Sequence, residues 1–162
     1  VGVLVNSNHG QTHQLVIDGN PVGRMLSAEH SNKNKEGSIV IILATDAPMN
    51  QRQLERLAKR ACLGLGRTGS SAANGSGDFV IAFSTTRMIP RNVSTPIISL
   101  PEIHSDYINA FFEASIEATE EAILNSLFKA TTTSGRDGNK SEQVPIEECL
   151  DLMSKSRRQL SG

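Results

Sequence analysis

The run Glu36-Gly37-Ser38-Ile39-Val40-Ile41-Ile42-Leu43-Ala44-Thr45 constrains this chain more than any other. Its apolar, largely β-branched residues predict a buried strand. A strand of that kind needs a sheet with a layer packed over it. The strand opens on Gly37-Ser38. Taken alone, that dipeptide is a turn entering a strand. The alternative is a peptide bond that the chain cuts itself, leaving Ser38 as a new N-terminus.

The flanking sequence supplies the rest of the layer. Val1–Val5 reads as a short buried strand, followed by turn chemistry at Asn6-Ser7-Asn8-His9-Gly10. Gln14–Ile17 reads as a second strand. Asp18-Gly19-Asn20-Pro21 is a tight turn, and Val22–Leu26 a third, weaker strand. Glu29–Glu36 is polar and lysine-bearing and is expected to be exposed and mobile, giving access to the bond after Gly37. Beyond Pro48, Asn50 is a helix N-cap. Leu54, Leu57, Ala58, Ala61 and Leu65 then recur at helical spacing, which predicts an amphipathic helix over Gln51–Leu65. Arg52, Arg56, Lys59 and Arg60 fall largely off that stripe and form its solvated face. Phe79–Phe83 is another strand. Thr85–Pro101 is a long connection, and Ser105 or Asp106 caps a long helix reaching about Lys129. Its packed face is Ile108, Phe111, Phe112, Ser115, Thr119, Ala122, Ile123 and Leu127. Ala130–Ser141 looks disordered, and Ile146–Lys155 forms a last helix before a basic tail.

Composition narrows the function. Net charge is -1 with 20% charged residues and 4% aromatics, which favours neither nucleic acid nor an anionic membrane. The longest apolar run, Ile39–Ala44, is too short to span a bilayer. Cys62 and Cys149 are the only cysteines, too few for a disulfide framework, and point to a reducing, cytoplasmic setting. His9, His13, His30 and His104 lack metal-ligand spacing and read as loop and cap residues. Gly64-Leu65-Gly66-Arg67-Thr68-Gly69 matches a dinucleotide-binding pattern, but a helix precedes it where a strand is required. Gly64–Gly77 therefore reads as a helix stop and a loop.

Three polar clusters stand at strand ends: Asn6–His9, Gly37-Ser38 and Ser76-Gly77-Asp78. Each has an ordinary explanation in local hydrogen bonding. Their order along the chain has a more specific one. Val3-Leu4-Val5-Asn6-Ser7-Asn8-His9-Gly10, Gly37-Ser38-Ile39-Val40, Ala44-Thr45-Asp46-Ala47-Pro48, Gln53–Ala58, Gly64–Gly69, Asn74-Gly75-Ser76-Gly77-Asp78 and Ala82-Phe83-Ser84-Thr85 together resemble the L-aminopeptidase/D-esterase family. These are self-processing serine aminopeptidases that include the β-peptidyl aminopeptidases. The resemblance runs from Val1 to about Lys129.

The resemblance implies an α/β (α+β) fold, a four-layer α-β-β-α sandwich like the N-terminal-nucleophile hydrolases but differently connected. Precursors of roughly twice this length cut themselves at Gly-Ser. Residues 1–37 would then end an α chain whose earlier segment is not in this sequence, and 38–162 would be the β chain of the same domain. Ser38 becomes the nucleophile. A freed α-amine, with an ordinary pKa of about 7.7–8.0, serves as its base. Ser76 and Asp78 carry over as the assisting serine and acid, with Asp78 where some members have Glu. Asn8 carries over as the oxyanion donor, with Asn6 as the fallback. No metal or cofactor is needed. Short peptides, amides or esters are the implied substrates, and homo-oligomers of αβ units the implied assembly. Two rivals remain: an acyltransferase of the ornithine-acetyltransferase type, whose nucleophile is threonine, and a ligand-binding module using Gly64–Gly69.

Overall fold

The computed structural model describes residues 1–26, 37–86 and 88–160. The expected loop Glu29–Glu36, including His30, lies outside the described residues. The main sheet has three strands: β1 (Gly2–Asn8), β2 (Ser38–Thr45) and β3 (Phe79–Ser84). The central β2 runs antiparallel to β1, with Asn8 opposite Ser38, and parallel to β3, with Val40 opposite Phe79. The parallel pair needs a crossover, and helix α2 (Gln51–Arg67) supplies it.

Helix α2 starts where Asn50 and Gln53 cap each other. The Asn50 side chain accepts from the Gln53 amide at 2.9 Å, and Gln53 Oε1 accepts from the Asn50 amide at 3.0 Å. The helix ends two residues beyond the expected Leu65. Helix α3 (Ile108–Lys129) lies beside it on the same face of the sheet. Its buried residues, Ile108, Phe112, Ser115, Thr119 and Ile123, all belong to the expected packed face. Leu57, Ala61 and Leu65 of α2 meet Ile39, Ile41 and Leu43 of β2 in the main core. The guanidinium groups of Arg56 and Arg60 stand 5.0 and 4.0 Å from the Phe112 ring centre, so this part of the basic face stacks on an aromatic ring rather than standing free in solvent.

Four local expectations are corrected. Gln14–Ile17 is not a strand: Thr12–Gln14 forms a 3-10 turn, and Ile17 makes only an isolated bridge to Asn20. Val22–Leu26 is not a strand either: α1 (Val22–Met25) is one helical turn. Ala130–Ser141 contains a small hairpin of β4 (Thr133–Ser134) and β5 (Lys140–Ser141). Both misread runs join a second core, in which Ile17 and Val22 pack with Cys149 of α4 (Ile146–Leu160). β1 also extends three residues beyond the expected Val5, so Asn6 and Asn8 belong to a strand rather than a turn.

Alternation decides which side chains face the helices. Val3, Val5, Ile39, Ile41, Leu43, Val80 and Ala82 point to them. The opposite face carries Leu4, Phe79, Ile81 and Phe83, which are 67%, 65%, 55% and 44% exposed. It is an apolar sheet face with no covering layer among the described residues.

Candidate active site

The strand register assembles the site at one end of the sheet. Ser38 is the first residue of β2 and points to the uncovered face, as Val40 and Ile42 do. Asn8 closes β1 directly opposite Ser38, so the two side chains share that face. Directly opposed Cβ atoms in such a ladder are about 4.5–5.5 Å apart. Asn6 lies opposite Val40, one repeat further along the same face.

The loop before β3 closes the site from the other side. The Gly77 amide donates to Ser38 Oγ at 3.0 Å. Asp78 reaches across to β2, where its Oδ1 accepts from the Ile39 amide at 3.2 Å. The same oxygen accepts from Ser76 Oγ at 2.5 Å. Ser38, Ser76 and Asp78 are therefore tied together through two backbone amides and one hydroxyl. Asn8 is brought to Ser38 by the sheet, while Asn6 is held farther away.

Gly37 has a structural reason to be glycine. A Cβ at this position would lie 2.2 Å from the Asn8 carbonyl oxygen and 3.0 Å from the His9 Cα. Only a residue without a side chain lets β1 approach so closely. Nothing in the sequence announces this contact, nor the two backbone amides of Gly77 and Ile39 that donate into the site. Backbone donors leave no residue-type signature, although Gly77 stands inside the quoted motif. His104 is a cap, as expected: its Nδ1 accepts from the Asp106 amide at 3.4 Å. His9 is not an ordinary loop residue. It lies beside Gly37, and its Nδ1 is the one buried side-chain nitrogen or oxygen among the described residues without a hydrogen-bond partner. Burial lowers its pKa below the usual histidine value, and the Asp78 carboxylate acts in the opposite direction.

The Gly64–Gly69 pattern is accounted for elsewhere. Gly64 and Gly66 lie within α2, and a Cβ on Gly64 would stand 2.4 Å from the Ile116 carbonyl of α3. The glycine serves close helix packing, not a phosphate loop. Among the described residues no group of three or more His, Cys, Asp or Glu side chains is placed to hold a metal, and no helix is long and apolar enough to cross a membrane.

A hydroxyl heads the central strand of this helix-backed sheet, braced by a Ser-Gly-Asp loop, and the fold is that of the N-terminal-nucleophile hydrolases. The solved L-aminopeptidase D-Ala-esterase/amidase of Ochrobactrum anthropi, described as a prototype for the serine aminopeptidases and a variant of that fold, matches with a TM-score of 0.84 and 31% identity, covering 96% of this chain and 43% of its own. The PH0078 protein of Pyrococcus horikoshii OT3 matches with a TM-score of 0.86 and 43% identity, covering 95% of this chain and 42% of its own. The β-peptidyl aminopeptidase BapA of Sphingosinicella microcystinivorans is 39% identical over 173 aligned positions, 98% of this chain and 44% of that protein. The model of peptidase family S58 matches residues 1–141, and the chain belongs to that family. It spans under half the length of the curated relatives that it matches. These relationships favour neither the acyltransferase nor the ligand-binding alternative.

Proposed function

We propose that this chain carries the nucleophile of a self-processing serine aminopeptidase acting on short peptides, amino-acid amides or esters. One observation carries the reading: Ser38 Oγ, at the head of β2, accepts the Gly77 amide while Asp78 and Ser76 are braced on the adjoining residue. In the first step, Ser38 Oγ adds to the Gly37 carbonyl carbon. The peptide C–N bond breaks and its nitrogen takes a proton, leaving an ester. Water hydrolyses the ester to a Gly37 carboxylate and a Ser38 with free hydroxyl and free amine. In the second step, that amine takes the hydroxyl proton as Oγ attacks a substrate carbonyl. Asp78 holds the Ser76 hydroxyl as the relay, and Asn8 donates to the oxyanion, with Asn6 as its fallback.

The family relatives are more than twice as long, which supports an upstream α-chain segment as partner. The uncovered apolar sheet face supports a second sheet docking there, completing the α-β-β-α sandwich. The expectation of homo-oligomers of αβ units rests on the family resemblance alone. Cys62 and Cys149, both free thiols, fit a cytoplasmic location. The test is Ser38→Ala in the full-length precursor. It should remain one uncut, inactive polypeptide by intact mass. Scission after residue 37 in that variant would overturn the assignment.

A further inference from the structure

His9 is the residue beside the site that the chemistry above leaves without a role. It follows β1 directly and continues its inward alternation after Val3, Val5 and Ser7. Ser7 Oγ bonds Ser126 of α3 at 2.6 Å, and His9 shares a cavity of about 550 Å³ with Leu127 of the same helix. The ring thus lies on the helix side of the sheet end. Asp78 has the alternation of Val80, which also packs toward the helices. Ser7 pairs with Ile39, and Asp78, one residue before β3, accepts from the Ile39 amide, so His9 and Asp78 flank the head of β2 on one face. Gly37 holds His9 there, because its Cα sits where a side chain at 37 would begin. Among the described residues, the other charged groups on the cavity wall are Lys140 and Glu142, bridged to each other at 2.9 Å. Asp78 is the charged group whose field acts on the ring.

We propose that His9 is a positioning residue for the Ser76–Asp78 pair. The neutral ring leaves the Asp78 carboxylate to the Ser76 hydroxyl and the Ile39 amide. The protonated ring is a competing donor that draws the carboxylate off both. The unpartnered Nδ1 fits this role, since a buried polar atom without a bond marks a site built for something other than packing. Burial holds the ring neutral near pH 7, so the pair is intact where the Ser38 amine is a working base. The proposal rests on Ser38 as nucleophile and Ser76–Asp78 as its relay.

Two measurements on the full-length protein test it. In the Ser38→Ala background, which needs no activity, the His9 ring protons are followed by NMR through pH. Adding Asp78→Asn should lower the His9 midpoint further, because the favouring field of its carboxylate is removed. An unchanged midpoint overturns the proposal, whatever Ser38 does. In the active enzyme, the Ser38 amine alone gives an acid limb of log kcat/KM with a slope of one. Protonation of His9 adds a second ionisation at lower pH and steepens the slope toward two, a further loss of about tenfold per pH unit. His9→Asn should return the slope to one. A slope near two that survives His9→Asn also overturns the proposal. Activity that survives Ser38→Ala would instead sink the reading of the nucleophile, and the NMR result would still decide the coupling.

Discussion

Residue 37 is fixed by an oxygen on the neighbouring strand. A methyl group there meets the Asn8 carbonyl at 2.2 Å, and that oxygen belongs to backbone already committed to the β1–β2 ladder. Gly37→Ala must push the strand ends apart. In a Ser38→Ala background it should cost about 1–3 kcal/mol by denaturant unfolding. In the otherwise native precursor it should slow self-cleavage, read by intact mass over time. Asn8→Ala makes a different prediction. The side chain is exposed, so stability should hold while kcat falls by about 10²–10³. Asn6→Ala should cost far less, because Asn6 stands opposite Val40 and not Ser38. The half-buried His9 also makes stability depend on pH. Its folded pKa lies below the unfolded value, so the unfolded chain takes up the proton first. Stability is fully present above about pH 6.5 and falls as pH drops from there toward the folded pKa. Thermal melts across that window should show the decline, and His9→Asn should flatten it. That Ser38, Ser76 and Asp78 would meet was legible in the sequence, because each lies in a motif. The Asn8 carbonyl and the Gly77 amide were not, because main-chain atoms look alike at every position.

At the scale of elements, long periodic segments were the readable ones. α2 announces itself by the Asn50 cap and the Leu57–Ala61–Leu65 stripe, and α3 by its packed face. Gln14–Ile17 and Val22–Leu26 were misread because runs of four and five residues with three apolar side chains each fit a strand or a helical turn equally well. Packing chose between them: both runs meet Cys149 and its neighbours on α4, a contact across more than a hundred residues that no local pattern encodes. Gly64 carries the test at this scale. Gly64→Val should force α2 from the Ile116 carbonyl of α3 and destabilise by about 1–3 kcal/mol, seen as a lower unfolding midpoint. Neither ATP nor NAD should raise the melting temperature of the native chain. A clear rise with either would restore the phosphate-loop reading of Gly64–Gly69.

At the scale of the whole molecule, the described residues cover the sheet on one side only. Its helix side closes over Ile39, Ile41 and Leu43, while Leu4, Phe79, Ile81 and Phe83 stand in the open on the other. Full burial of one such side chain stabilises by about 1.5–3 kcal/mol, so leaving four exposed forgoes several kcal/mol. Ser38 and Asn8 lie on the rim of that same face, so whatever covers it also walls the nucleophile. The proposed upstream sheet would do both. Ile81→Lys in the full-length precursor should then bury a charge between two sheets, lower the melting temperature by several degrees and slow self-cleavage. Leu63→Lys is the matched control: Leu63 is exposed on the solvent side of α2, and a change there should stay within about 0.5 kcal/mol. If Ile81→Lys is tolerated as well as Leu63→Lys, the face is not covered by a second sheet, and the substrate pocket must be built from this chain's own loops.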